Sequence, residues 1–190
     1  MSTTNRPGIA LYGPPSSGKD AVTETLHYLY PRFVLLPELK VSAERTNGYE
    51  LISRERRDEL RAAGRLAVDS QRGDAAYAID QQTIETLQSM RCIPIVHLHS
   101  IAELRQLMEY VGDTWLRVLL WVSRDVAEER ALERSDADVS SCLAAWDQTR
   151  ADLDSHDEER LFHLRVHTDR ISIHKAAQKI IDLYASPQPG

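Results

Sequence analysis

The stretch "LYGPPSSGKDAV", Leu11 to Val22, gathers residue types that hold phosphate. Gly13, Pro14, Pro15, Ser16, Ser17, Gly18 and Lys19 have the spacing of a phosphate-binding loop: glycine, four residues, then glycine-lysine. Glycines let consecutive backbone amides turn inward around phosphate oxygens, and a helix opening at Lys19 adds the positive end of its dipole. Lys19 supplies a mobile charge. The pattern ordinarily continues with Ser or Thr, whose hydroxyl ligates magnesium on the nucleotide. Here Asp20 stands in that place, followed by Ala21. The segment Gly13 to Ala21 is expected to bind a nucleotide, with Asp20 the candidate metal ligand.

A carboxylate at the end of a core strand usually helps to hold the metal in such sites. The strand in that position reads "IPIVHLHS" and ends in His97 and His99 instead. Side chains alternate along a strand, so the two imidazoles face the same way. Two readings of them stay open: a metal pair, or hydrogen-bonded strand-end histidines. Asp20 is read as the replacement for the missing carboxylate, reaching magnesium directly or through water. Further along, "RDVAEERALERSDAD" sets Arg130 and Arg134 four apart on one helical face. Arginines so placed suit the charge that spreads over three phosphoryl oxygens during transfer. An ion pair with Glu128, Glu129 or Glu133 is the alternative for Arg130.

The elements that must position these residues follow from periodicity. "GIALYG" is a short apolar strand, and "KDAVTETLHYLY" is the helix after the loop. "FVLLP", Phe33 to Pro37, is a second strand stopped by proline. From there to Tyr77 the chain is polar and basic, with one charged helix at about 53–63, and resembles a flap more than a core layer. "IDQQTIETLQSM" is a helix and "CIPIVHLHS" a strand. Ser100 and Glu103 form a capping box for a helix whose apolar stripe is Ile101, Leu104, Leu107, Met108 and Val111. "WLRVLLWVS" is a core strand, "LFHLRVHT" alternates as an edge strand does, and "ISIHKAAQKIIDLY" closes with Ile173, Ala177, Ile180 and Tyr184 on one face. Five strands alternating with helices predict an α/β fold, a parallel sheet covered by helices on both sides.

Composition sets the outer limits. A chain of 190 residues suits a single domain, 1–190, with room for a small insertion. The net charge of −6 argues against a nucleic-acid-coating surface, so an anion site must be a local cluster of Lys and Arg. No apolar run approaches the length of a bilayer span, and the polar "MSTTNRPG" lacks a signal peptide's apolar core. Cys92 and Cys142, far apart and outside CxxC spacing, read as reduced thiols of a cytoplasmic protein.

From "GPPSSGKD" onward the chain resembles the guanylate-kinase-like group of P-loop kinases, over residues 8 to 184. The Gly-Lys-Asp variant is most similar to the loop of ribose 1,5-bisphosphate phosphokinases, which also lack the acidic strand end of guanylate kinase. The order Tyr49, "ISRERRDEL", Gly64, Tyr77 follows the acceptor-binding segment of guanylate kinases. The resemblance implies an acceptor-binding subdomain at 38–78, in which Tyr49 and Tyr77 bond the acceptor's phosphate, with Lys40 and Arg45 near the family's arginines. The string "TTRxPR" is replaced by "KVSAERTNGY". Where the family has the Glu that reads guanine, this chain has Val68, with Asp69 beside it as a possible substitute. Strict GMP specificity is therefore not expected. The resemblance further implies a lid at 130–156, carrying Arg130 and Arg134. The family's later arginine pair falls on "CLAAWDQTR", with Arg150 nearest to it.

The expected activity is a small-molecule kinase: ATP, with Mg2+, gives its γ-phosphoryl group to a phosphorylated acceptor, a sugar phosphate or a nucleoside monophosphate. Lys19, Arg130 and Arg134 would be catalytic. Lys40, Arg45, Tyr49, Asp69, Tyr77 and Arg150 would hold the acceptor. A monomer or homodimer is expected, without nucleic-acid or membrane partners. The alternative, favoured by the missing strand-end carboxylate, is a guanylate-kinase-like nucleotide-binding module with little or no transfer; intact Lys19 opposes it.

Overall fold

Strand β1 (Ile9–Tyr12) is buried over its whole length and delivers the chain to the glycine-rich loop. The computed structural model describes residues 6–42, 48–134 and 138–186. After the loop come α1 (Lys19–Leu29), β2 (Phe33–Leu35), β3 (Glu38–Val41), β4 (Tyr49–Leu51), α2 (Arg54–Ala62), β5 (Leu66–Arg72) and β6 (Ala75–Asp80). The second half runs α3 (Gln81–Ser89), β7 (Ile93–Leu98), α4 (Ile101–Val111), β8 (Leu116–Trp121), α5 (Arg124–Glu133), α6 (Val139–Asp154), α7 (Glu158–Leu161), β9 (Leu164–His167) and α8 (Ile173–Ala185).

Five strands form a parallel sheet in the order β2, β7, β1, β8, β9. β1 lies in the middle, with Tyr12 beside Leu98 of β7 on one side and Leu119 of β8 on the other. Alternation along each strand divides the interior in two. Ile9, Leu11, Val118 and Leu120 pack toward α1 and α8, whereas Ala10, Tyr12, Leu119 and Trp121 pack toward α4 and α6. This is the predicted α/β sheet covered on both faces. β9 holds the edge position that its alternating sequence suggests.

The segment expected to be a polar flap contains more order than its composition suggests. β4, β3, β6 and β5 pair into a second, four-stranded sheet. Only the helix was legible there: Ser53 accepts a hydrogen bond from the Arg56 amide and starts α2. One face of the small sheet buries Leu39 and Ala78 against Leu60 of α2. Ala67, Val68 and Ile79 instead join the main core with Leu104 and Leu107 of α4. Gln106 of α4 also accepts a 2.8 Å bond from the Asp69 amide. The inserted segment is thus partly a core layer, because β5 and β6 each bury apolar side chains on both faces.

Leu107, fully buried between α4 and the small sheet, tests this joint. Leu107→Ala is expected to cost about 2–5 kcal/mol, seen as a lower urea midpoint in equilibrium unfolding with little change in slope.

Candidate active site

The loop is built by close backbone approach. A Cβ on Gly13 would lie 2.1 Å from the Leu120 carbonyl oxygen at the end of β8, so only glycine fits. Gly18 closes the loop in the left-handed region, φ 86°, and starts α1. Lys19, nearly buried, folds its Nζ back to donate to the carbonyls of Gly13 at 2.7 Å and Pro14 at 3.1 Å. Burial lowers its ammonium pKa to about 8, with Arg72 adding to the fall and Asp20 and Glu103 opposing it.

Three side chains from distant parts of the sequence hold the outside of the loop. Arg130 donates to the Ser16 carbonyl at 2.9 Å and to the Thr168 carbonyl at 2.8 Å. Arg134 donates to Ser16 Oγ at 2.9 Å. Thr168, just beyond β9, donates its hydroxyl to the Ser17 carbonyl at 2.9 Å. Arg130 is therefore bonded to the loop and to Thr168 rather than paired with the neighbouring glutamates. Ser17 Oγ is buried without a partner among the described residues.

Asp20 points outward at the mouth of α1, its side chain 88% exposed and 3.6 Å from His97 Nδ1. The other nitrogen of His97 meets Thr23 Oγ1 at 2.8 Å. Burial and the charge of Lys19 lower His97 to a pKa of about 4, and lower His99 well below the usual imidazole range. Both rings are neutral at neutral pH. They share one cavity, as strand alternation requires, and His97 is engaged by a hydroxyl. Among the described residues no group of three or more His, Cys, Asp or Glu is placed to hold a metal. Magnesium at phosphate sites, however, takes only one or two protein carboxylates and leaves the remainder to phosphate and water. Asp20, one residue from Lys19, fits that smaller donor set.

A cavity of about 560 Å³ joins the loop to the small sheet; Lys19, Asp20, Glu38, Tyr49, His97, His99 and Arg134 are among its lining residues. From the small sheet Glu38, Tyr49 and Ile79 reach this cavity, whereas Lys40 and Tyr77 are not among its lining residues. Glu38 lies opposite Tyr49, and Lys40 opposite Tyr77. Lys40 Nζ sits 5.3 Å from the Tyr49 ring centre and 5.6 Å from that of Tyr77, and the two rings are 5.5 Å apart. A cation held between two phenols can receive an anionic group.

Other candidates lie elsewhere. Asp69 is held by Arg57 and, at 2.6 Å, by Arg61, so it does not line the cavity. Val68 beside it is a core residue, 1% exposed. Arg150 pairs with Asp154 at 2.9 Å and stands 5.7 Å from the Trp121 ring centre, away from the cavity lining. Arg45 falls outside the described residues. Pro15, Ser16, Ser17, Gly18 and Ala21 line the cavity; Gly13 and Pro14 lie behind it, as the acceptors for Lys19.

Sequence reasoning missed Glu38, Arg72, Glu103 as a site residue, and Thr168. Arg72 donates to Glu38, donates to Glu103 at 3.1 Å, and lies 3.8 Å from the Tyr77 ring centre. Glu103 was read only as half of a capping box. Its amide does bond Ser100 Oγ, but its carboxylate reaches past the cap to the His99 amide at 2.7 Å.

No family model matches the chain, and no curated protein matches it. Similarity appears among solved structures. A guanylate kinase from Anaplasma phagocytophilum superposes with a TM-score of 0.64 at 12% identity, over 94% of this chain and 85% of that one. A shikimate kinase from Acinetobacter baumannii in complex with shikimate gives 0.51 at 16% identity, over 93% and 92%. An uncharacterized protein from Eubacterium ventriosum gives 0.50 at 12%, over 94% and 98%. These likenesses establish the fold as that of P-loop kinases. No helix among the described residues is long and apolar enough to cross a membrane.

The support of the loop by β9 can be measured. Thr168→Val leaves the buried Ser17 carbonyl without its donor, and a loss of about 1–3 kcal/mol is expected in chemical unfolding. Weaker ATP binding in equilibrium titration should accompany it.

Proposed function

We propose that the chain is an ATP-dependent kinase that passes the γ-phosphoryl group to a phosphorylated small molecule. One observation carries this reading: Lys19 of the loop and Tyr49 of the small sheet line the same cavity. A donor phosphate on the loop and an acceptor phosphate at Tyr49, whose ring adjoins Lys40 and Tyr77, would then share one cavity. The kinase fold of the structural neighbours supports the reaction class.

Each group has a definite task in this reading. The loop amides and the start of α1 bind the β-phosphate, and Lys19 leaves its carbonyl partners to neutralise the β- and γ-phosphates. Arg130 and Arg134, already bonded to Ser16, stand beside the transferring group and offset its charge. Magnesium, when bound, neutralises and orients the phosphates, and Asp20 is its protein ligand. Positioning and charge neutralisation suffice, so no covalent intermediate is required.

The acceptor is a sugar phosphate or a nucleoside monophosphate without strict selection for guanine. Val68, where guanylate kinases read the base, is sealed in the core. The Gly-Lys-Asp loop, similar to that of ribose 1,5-bisphosphate phosphokinases, makes pentose phosphates the first acceptors to test.

Purified protein with ATP and magnesium, tested against nucleoside monophosphates and pentose phosphates, should form ADP with one acceptor and little without. Nucleotide binding with no acceptor-dependent ADP would instead indicate a binding module. Lys19→Ala is expected to lower ADP formation by at least about 100-fold while the circular dichroism spectrum stays unchanged. Asp20→Asn should raise the magnesium concentration needed for half-maximal rate; an unchanged requirement removes Asp20 as the ligand.

A further inference from the structure

Glu38, a carboxylate, lines the same cavity as Lys19. A carboxylate in a cavity proposed to take two phosphates is electrostatically costly, so its place there needs a reason. Its environment is built rather than incidental. Glu38 begins β3, 12% exposed, and receives a hydrogen bond from Arg72 of β5. Arg72 is itself fixed by Glu38, the Tyr77 ring, a hydrogen bond with Tyr49, and Glu103, whose side chain is only 2% exposed. Glu103 is tied in turn to the His99 amide at the end of β7. The chain of contacts runs from the floor of the cavity, through the core helix α4, to the small sheet.

Arg72 does not line the cavity, whereas Glu38 does. The guanidinium holds the carboxylate in place, and releasing it would leave the buried Glu103 without its cation. A carboxylate fixed in this way accepts hydrogen bonds and donates none when ionised. Resting on the kinase reading for its ligand, we propose that Glu38 is the specificity-determining residue of the acceptor side, receiving a hydrogen bond from a hydroxyl or amino group of the acceptor. Lys40, Tyr49 and Tyr77 hold the acceptor's phosphate; Glu38 reads the group it is attached to. Neutral His99 and the aliphatic side chains of Leu36 and Ile79 are also among the lining residues, which suits an acceptor with an uncharged body and at least one donor.

Burial raises the Glu38 carboxyl to a pKa of about 7, with Glu103 adding to the rise and Arg72 and Lys40 opposing it. Tyr49, the other titratable group facing it, is itself shifted upward and stays neutral near that pH. An acceptor that donates to the ionised form is bound less well as the pH falls through 7.

The test is equilibrium titration of the full chain, in the absence of ATP, with two pairs of probes differing by one donor. Ribose 5-phosphate against 2-deoxyribose 5-phosphate reports a sugar hydroxyl; GMP against IMP reports a base amino group. One pair should differ by roughly 10- to 100-fold in the wild-type chain, the strength of one charge-assisted hydrogen bond. In Glu38→Gln, which keeps the side chain's size and an acceptor for Arg72, that difference should collapse, with ATP affinity unchanged. Wild-type affinity for the favoured probe should weaken below pH 7 relative to Glu38→Gln; ionisation of the probe's own phosphate is common to both proteins. Equal binding of all four probes by both proteins overturns the proposal. So does tighter binding by Glu38→Gln, which would mean that the carboxylate merely competes for the anion site. If Glu38→Gln does not fold, the wild-type pairs alone decide: no difference within either pair refutes a carboxylate reader. Because nothing here depends on turnover, acceptor binding without ADP formation would sink the transfer reaction and leave the role of Glu38 intact.

Discussion

The molecule depends on how closely Gly13 approaches the Leu120 carbonyl. A single methyl group at that glycine would sit 2.1 Å from the oxygen. The approach is possible because β1 and β8 are neighbours in parallel register, with Leu119 beside Tyr12, so β8 runs past the end of β1 and sets Leu120 next to Gly13. From that shared edge the chain turns into the loop, the amides converge, and α1 begins with its positive end inward. The large sheet is in this sense a device for holding one turn of backbone, and its buried aliphatic layers keep two strand ends from sliding past each other.

The loop and the small sheet fix their cationic groups differently. The loop uses backbone dipoles and a single ammonium that rests on its own carbonyls. The small sheet uses side chains fixed by strand register: Lys40 between two phenols, and Arg72 between two carboxylates. Glu103 joins the two, since it supports His99 on the sheet edge and Arg72 on the insertion.

Much of the first side was legible in the sequence. The glycine-lysine spacing, the apolar runs of β1 and β8 and the stripe on α4 are local patterns, and each has the predicted place in the structure. The second sheet was not legible, because β4 has only three residues and half of β5 is polar. Strands of that kind gain their stability from partners far along the chain, which leave no periodic trace. Glu38 and Arg72 were missed for the same reason: 34 residues separate them, and neither belongs to a motif. Asp69 looked like a site residue through its proximity to Val68, but two arginines of α2 hold it on the other side of β5. Arg130 shows the opposite case: its four-residue spacing from Arg134 is local, and both side chains meet Ser16 in the structure.

Thr168 grips Ser17 across 151 residues of chain. During synthesis, the loop's own sequence leaves the ribosome early, with its first helix, whereas its last support arrives with the final strand. A partly made chain thus carries the letters of the glycine-rich loop long before it has the means to hold the loop's shape. Competence for binding is in this way tied to completion of the sheet, and a fragment ending before β9 lacks the clamp on its oldest loop.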